Sequence, residues 1–266
     1  MHYGLVKQPL VPVRTADNER SEMTTQLLFG EYVKIIEEQE KWLYIENIQD
    51  GYQGWIDRKM IVAVSESSFL LSSKMSMTKV CSPYAIIYNA ALEQKMMIPG
   101  GSLLYNLQDD VFELHDETWT LVDVNCVLNP FKQTSNKNTR SQFLIDTAIA
   151  YLNAPYLWGG KSVFGIDCSG LVQIVNSIVG ISLPRDSSQQ AQQGIAVASL
   201  AETIAGDLVF FGDAKGKITH VGILKSNTEV IHASAWVKIE QIDEQGIISS
   251  TSGEYTHKLQ AIRRVF

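Results

Sequence analysis

From Val6 to Val64 the apolar residues come in short runs broken by turn residues: LVKQPLVPV, EYVKII, WLYIENI and GWID, with QDGYQG before the last. Tyr32, Val33, Ile35 and Ile36, then Trp42, Tyr44 and Ile45, are the β-branched and aromatic types that fit a half-buried pleated surface. Gly51 and Gly54 bracket a tight turn. About five short strands around one aromatic-rich core predict a small all-β barrel over 1–64. Residues 65–131 repeat this texture more loosely, with GGSLLYNL and WTLVDVNCVLNP as strands and Gly100-Gly101 as a turn. Trp42-Leu43-Tyr44-Ile45 set beside Trp119-Thr120-Leu121-Val122 hints at a diverged repeat. The segment 132–140, KQTSNKNTR, is polar, lacks large apolar residues and reads as a linker.

The pattern changes over 141–266. Phe143, Leu144, Ala148, Ile149 and Tyr151-Leu152 recur at helical spacing from Ser141, and Pro155 stops that helix. A second helix, CSGLVQIVNSIVG, is apolar around so much of its circumference that burial is expected, and Gly180 is a natural stop. Beyond Gly206 the period is that of strands: DLVFFG, ITHVGILK, EVIHASA and LQAIRRVF. A buried helix packed on an antiparallel sheet is an α+β arrangement.

Composition narrows the classes. Hydrophobic residues make up 45% and charged residues 19%, which excludes disordered and low-complexity chains. Lys and Arg number 22 against 29 Asp and Glu, a formal net charge of −7. That balance argues against gripping nucleic acid or an anionic membrane as the main task, without forbidding a local basic pocket. No stretch approaches the ~18 uninterrupted apolar residues of a spanning helix. The N-terminal residues lack a basic segment followed by an apolar run, so a cytoplasmic protein is expected, or a periplasmic one should a leader have been removed. The three cysteines, Cys81, Cys126 and Cys168, form no CxxC pair, and a Cys81–Cys126 disulfide would need an oxidising compartment. Cys81 and Cys126 read as small buried hydrophobes.

Cys168 differs because Asp167-Cys168-Ser169-Gly170 stands where a glycine-rich loop turns into the apolar helix. First-turn N–H groups lack helical partners and carry partial positive charge. They are expected to lower the thiol pKa and to receive the oxyanion of a tetrahedral intermediate. Ser169 and Gly170 are small enough for a substrate to approach the backbone. The alternative is a packed cysteine at a helix start, so partners are needed. His220 and His232 lie on strand-like segments joined by Ser226-Asn227-Thr228. A hairpin turn centred on Ser226 sets the two rings directly opposite each other on one face, with Gly222 leaving space beside them. His220 would then be a base oriented by His232. Zinc held by Cys168, His220 and His232 is a competing account, without a further acidic ligand. His2, His115 and His257 sit in polar or terminal surroundings and read as surface residues.

Four motifs in this order, DCSGLV (167–172), GDLVFF (206–211), THVGI (219–223) and IHAS (231–234), resemble the series of the NlpC-type cysteine peptidases, papain-like enzymes of bacterial cell-wall chemistry. The resemblance covers the last ~125 residues. The two preceding zones resemble bacterial SH3-like domains, the first through GYQGWI (51–56). Together they look like the γ-D-glutamyl-L-diamino acid endopeptidases of murein-peptide recycling. The implied fold is an α+β papain-like domain (141–266) behind two SH3-like barrels (1–64 and 65–131). The implied roles are Cys168 as nucleophile, His220 as base and then acid, His232 as orienting third member and Tyr156 as oxyanion donor. Trp158, Asp167, Ser169, Arg185, Asp186 and Ser187 match positions lining the site, Asp186 facing a free α-ammonium group. Glu31 and Tyr52 match residues closing the far end of the cleft. On residue type alone Asp186 reads equally as a helix N-cap, Tyr52 as a turn aromatic and Arg185 as a solvated charge.

The expected substrate is a small murein peptide with a free N-terminal L-Ala, cleaved between γ-D-Glu and L-Lys or meso-diaminopimelate, with no cofactor, metal, nucleic acid or membrane involved. A related amidase or acyltransferase would use the same catalytic residues. A non-catalytic wall-peptide-binding module is the alternative from another class.

Overall fold

The structure is a computed structural model and describes residues 2–122 and 137–266. Cys126 and the expected strand residues from Asp123 onward lie outside the described residues. The chain divides into two compact units, Met1–Asn129 and Pro130–Phe266.

The first unit is built from two antiparallel sheets. The first holds β1 (Tyr3–Leu5), β2 (Leu10–Arg14), β3 (Met23–Leu28), β4 (Tyr32–Glu38), β5 (Trp42–Asn47), β6 (Gln53–Asp57) and β7 (Val62–Val64), in the order β3-β2-β6-β5-β4-β1-β7. Alternation sorts its side chains, so Val11, Val13, Leu43, Ile45 and Ile56 point inward and close one core. A short helix, α1 (Glu66–Ser72), leads to the second sheet. That sheet holds β8 (Met77–Lys79), β9 (Tyr84–Asn89), β10 (Gln94–Pro99), β11 (Leu103–Gln108), β12 (Val111–Leu114) and β13 (Glu117–Leu121), in the order β10-β9-β13-β12-β11-β8. Leu5, Phe29, Tyr32 and Val64 of the first part join its core. Phe29 meets Trp119 edge to face, with ring centroids 6.0 Å apart.

The repeat suggested by sequence does not hold in that alignment. Leu43 and Ile45 face inward on β5, whereas Trp119 and Leu121 face inward on β13. Setting Trp42 beside Trp119 therefore superposes opposite faces, a slip of one residue.

The second unit begins with α2 (Lys137–Ile149). The last four positions of the expected linker are thus helical, and the helix starts four residues before Ser141. Hydrophobic period marks where a helix becomes buried, here from Leu144, and its polar first turns carry no such mark. A hairpin of β14 (Lys161–Ser162) and β15 (Gly165–Ile166) precedes α3 (Cys168–Ile178), and α4 (Ser187–Gln190) and β16 (Ile195–Ala196) follow. Then come β17 (Leu208–Gly212), β18 (Ile218–Leu224), β19 (Glu229–Ser234), β20 (Trp236–Asp243), β21 (Gly246–Ile248) and β22 (Tyr255–Arg264). Their order, β16-β22-β17-β18-β19-β20-β21 with β21 also paired to β22, closes an antiparallel ring. Val209, Phe211, Leu224, Val230, Ile242 and Ile247 fill its interior. Helix α3 packs across β18 and β19. Among the described residues no helix is long and apolar enough to cross a membrane.

Candidate active site

Helix α3 starts at Cys168 because Asp167 caps it. The Asp167 Oδ1 accepts from Gly170 N at 2.7 Å, and its Oδ2 accepts from Gly159 N at 2.8 Å. Arg185 grips the same carboxylate at both oxygens, at 3.0 and 2.6 Å, and donates to Ser169 Oγ at 2.8 Å. Arg185 is only 2% exposed, so the reading as a solvated charge fails. A bidentate guanidinium is the one cation that can satisfy a buried carboxylate in this way. Gly170 also has a packing reason, since a Cβ there would stand 2.4 Å from the Gly160 carbonyl oxygen. Its smallness serves the close approach of the 157–160 loop, a packing reason that sequence did not suggest.

The Cys168 sulfur receives the backbone amides of Val221 and Ser169. Val221 follows His220, so this contact sets the sulfur against the strand that bears the imidazole. The expected low thiol pKa is not what the site provides. Burial first, and then the Asp167 carboxylate, push the Cys168 thiol up to about 11, against smaller help from the two amides and Arg185. The helix end's partial charge is largely answered by its own capping carboxylate.

The two histidines come together, but in another register. Ile223 pairs with Ile231 and Leu224 with Val230, which centres the turn on Asn227 rather than Ser226. Lys225 N and Ser226 N both donate to Glu229 O, fixing the longer turn. The pairing shifts by two residues and keeps both rings on one face, now diagonal rather than opposed. A Cβ on Gly222 would lie 2.5 Å from Val230 Cγ2 and 3.2 Å from His232 Cβ, so only glycine lets β19 approach. The bond that results joins His220 Nε2 and His232 Nδ1 at 2.9 Å. Each ring spends one nitrogen there, and among the described residues no three His, Cys, Asp or Glu side chains group as metal ligands.

Two residues of this cluster escaped the sequence reading. Glu240 on β20 sits 3.0 Å from His232 Nε2 through Oε2, while its Oε1 accepts from Ser250 N and Ser250 Oγ, both at 2.9 Å. Burial works to raise this carboxyl, and the bonds from His232 and Ser250 outweigh it, holding it at about 2. The alternation of β20 carries the signal, because Glu240 is in phase with the core residue Ile242. His257, read as a surface residue, is half-buried and lies face on to His220, with centroids 4.2 Å apart and planes 31° apart. Its partner across the sheet is Ile247, a barrel-core residue, so the register of β22 turns it inward. Burial, then the fields of His232, His257 and Lys238, hold His220 well below its usual pKa. His257 is lowered by burial to about 4.

Tyr156 is half-buried, its N–H donating to Ala235 O at 2.9 Å. Burial, and then the charges of Cys168 and Asp167, push its phenol up to about 12, so it stays a donor at neutral pH. Asp186 occupies the N-cap position of α4 without a side-chain cap bond, and Ser187 follows it, both half-buried. Trp158 is 59% exposed. Glu31 and Tyr52 belong to the first unit. Glu31 is buried and accepts from Leu28 N at 3.0 Å and Asn47 Nδ2 at 3.2 Å, while Tyr52 is half-buried at the turn after β5.

A thiol on the first turn of a helix and imidazoles on a closed antiparallel barrel divide the machinery as papain-like cysteine peptidases do, and the second unit is of that class. Residues 153–259 match the NlpC/P60 family model, and residues 13–61 match the bacterial dipeptidyl-peptidase Sh3 domain. The chain thus carries an NlpC/P60 cysteine peptidase domain behind an SH3 domain of the dipeptidyl-peptidase kind. It is 28% identical to the γ-D-glutamyl-L-lysine dipeptidyl-peptidase of Bacillus subtilis (strain 168), over 91% of this chain and 81% of that one. It is 27% identical to dipeptidyl-peptidase 6 of Lysinibacillus sphaericus, over 85% of this chain and 86% of the relative. An NlpC/P60 family protein from Bacillus cereus shares the fold, with a TM-score of 0.83 at 21% identity over 98% of this chain and 99% of that chain.

Proposed function

We propose that the chain hydrolyses the γ-D-glutamyl–L-diamino acid bond of small murein peptides that carry a free N-terminal L-Ala, through a thioester on Cys168. The observation that carries this reading is the array in which the Cys168 sulfur lies under the Val221 amide while His220, one residue earlier, is tied to His232 at 2.9 Å. With the thiol raised and His220 lowered, the resting pair is uncharged, so the proton leaves sulfur for His220 Nδ1 as sulfur attacks the γ-carbonyl. The developing oxyanion is met by the Cys168 N–H on the first helical turn and by the Tyr156 phenol. His220 then returns the proton to the departing amine of the diamino acid, and water repeats the sequence on the thioester.

Specificity follows from paired charge. Asp186 takes the α-ammonium of L-Ala, and Asp167, Ser169, Arg185, Ser187 and Trp158 line the acyl side. An acylated amine would leave a carboxylate desolvated without its partner, which costs about 3–5 kcal/mol. Intact wall polymer is therefore a poor substrate. The relatives named as γ-D-glutamyl-L-lysine dipeptidyl-peptidases support this choice of bond. The test is a tripeptide panel, L-Ala-γ-D-Glu-L-Lys and its diaminopimelate analogue, each with free and acetylated N-termini, read by mass spectrometry. Free peptides should be cut at the γ-glutamyl bond and acetylated ones at least about 100-fold more slowly. Equal turnover of both refutes the specificity, and residual hydrolysis by Cys168→Ala removes the thioester.

A further inference from the structure

We propose that Glu240 is a positioning residue of the acyl-transfer site, which fixes through His232 the ring nitrogen on which His220 takes the proton of Cys168. The proposal rests on Cys168 and His220 acting as nucleophile and base, and not on which acyl group they transfer.

Packing gives no reason for a carboxylate here. Glu240 is 3% exposed, and Ile242, two residues on, belongs to the apolar interior of the barrel. Its contacts instead turn the group toward His232. Oε1 is anchored by Ser250 N and Ser250 Oγ at 2.9 Å and lies 3.3 Å from Lys238 Nζ, which leaves Oε2 aimed at His232 Nε2 at 3.0 Å. An ionised carboxylate can only accept, so His232 Nε2 must carry hydrogen. In neutral His232 the other nitrogen, Nδ1, is then bare, and it faces His220 Nε2 at 2.9 Å. That bond needs its hydrogen from His220 Nε2, which leaves His220 Nδ1 bare. Only a bare Nδ1 can accept the thiol proton.

The reverse relay fails at both ends. Hydrogen on His232 Nδ1 would set a bare Nε2 against carboxylate lone pairs, and it would put hydrogen on His220 Nδ1, where a base is required. Once His220 has taken the proton, the same carboxylate favours the cation across one intervening ring, a small influence set against burial and the opposing fields of His232, His257 and Lys238. Glu240 thus sets the starting tautomers and steadies the charged intermediate without touching a reacting atom.

The test is Glu240→Gln, which keeps the volume but adds an NH2 able to donate to His232 Nε2 and so permits the wrong relay. With a murein tripeptide, kcat should fall by about 100-fold or more while KM stays within about threefold. The iodoacetamide rate at Cys168 should fall in parallel. Nitrogen-15 spectra of the ring nitrogens at pH 7.5 should place hydrogen on Nε2 of both His220 and His232 in the native protein, and on Nδ1 of His232 in the variant. Glu240→Asp, still acceptor-only, should restore the native pattern and part of the rate. A Glu240→Gln protein with kcat within about threefold of native overturns the proposal, as does a loss of rate with ring hydrogens unmoved. Should Glu240→Gln not fold, the native spectrum decides: hydrogen on Nδ1 of His232 refutes the relay. Alkylation and spectra need no peptide, so a wrong substrate assignment cannot be mistaken for a wrong relay.

Discussion

Arg185→Met tests how the start of α3 is held. The guanidinium meets Asp167 at 2.6 and 3.0 Å and Ser169 Oγ at 2.8 Å, and the two charged side chains are 2% and 7% exposed. Methionine fills much of the same volume, so the change removes charge and hydrogen bonds rather than opening a large hole. What remains, among the described residues, is a buried carboxylate with the Gly159 and Gly170 amides and the Ser169 hydroxyl as partners. Breaking one side of a buried pair costs about 3–5 kcal/mol, far above the ~1 kcal/mol of an exposed one. Asp167→Asn should cost a similar amount, because it strands the guanidinium while keeping an acceptable cap. Arg185→Met with Asp167→Asn leaves neither charge unpaired, so the double variant should lose much less than the singles would predict, with a coupling of about 2–3 kcal/mol. Urea unfolding read by hydrogen exchange at the α3 amides isolates this part of the chain. Singles that cost under about 1 kcal/mol, or that add to within about 0.5 kcal/mol, would show that the pair does not hold the helix start.

Two further outcomes follow from the site's protonation. With the Cys168 thiol up at about 11, its iodoacetamide alkylation should still rise through pH 8–10; a plateau below pH 7 would instead mean a resting thiolate–imidazolium pair. His257 is neutral when folded because burial lowers it to about 4. Below its unfolded value of about 6.5 the unfolded chain binds a proton that the native chain refuses, so stability contributed by this group is full above pH 6.5 and is lost as pH falls toward 4. At 1.36 kcal/mol per unit the full shift would be worth about 3.4 kcal/mol, and solvent screening of this half-buried ring reduces the expected loss to about 1–2 kcal/mol. Urea titrations at pH 7 and pH 4.5 should show His257→Phe, which keeps a ring on His220, losing less than the native protein; an equal loss in both refutes the assignment.

What the sequence could and could not reveal follows from the range of each interaction. Alternation and helical period are local, and they identified β2, β4, β5, β6, β11, β13, β17, β18, β19 and β22, the buried α3 and the place of Cys168 at its start, while β3, β9, β10 and β20 passed unread. The pairing of His220 with His232 was legible because strands joined by a short turn must meet. Its register was not, since Lys225 and Ser226 both close on Glu229 and lengthen the turn by an amount no residue type dictates. Face survived that error because the slip was even. The polar first turns of α2 were read as linker for the complementary reason: a solvated helix start leaves no hydrophobic trace.

The site's electrostatics were the least legible, because a pKa depends on what surrounds a group in space. Sequence placed Cys168 on a helix start and so expected an activated thiol. The fold places Asp167 on those same N–H groups and buries the sulfur, and the sign reverses. The burden of activation then passes from the helix to the barrel. A thiol that stays protonated can attack only while a correctly oriented base takes its proton, so the tautomer of His220 matters more here than in a site with a preformed thiolate. That requirement gives a purpose to a buried carboxylate in phase with Ile242, while the third imidazole, on the face of His220, works against the charge that the carboxylate favours. Both come from strands after the motif-bearing ones: β20 folds straight back on β19, whereas β22 meets β17 and closes onto β21 through long-range pairings that no local pattern announces.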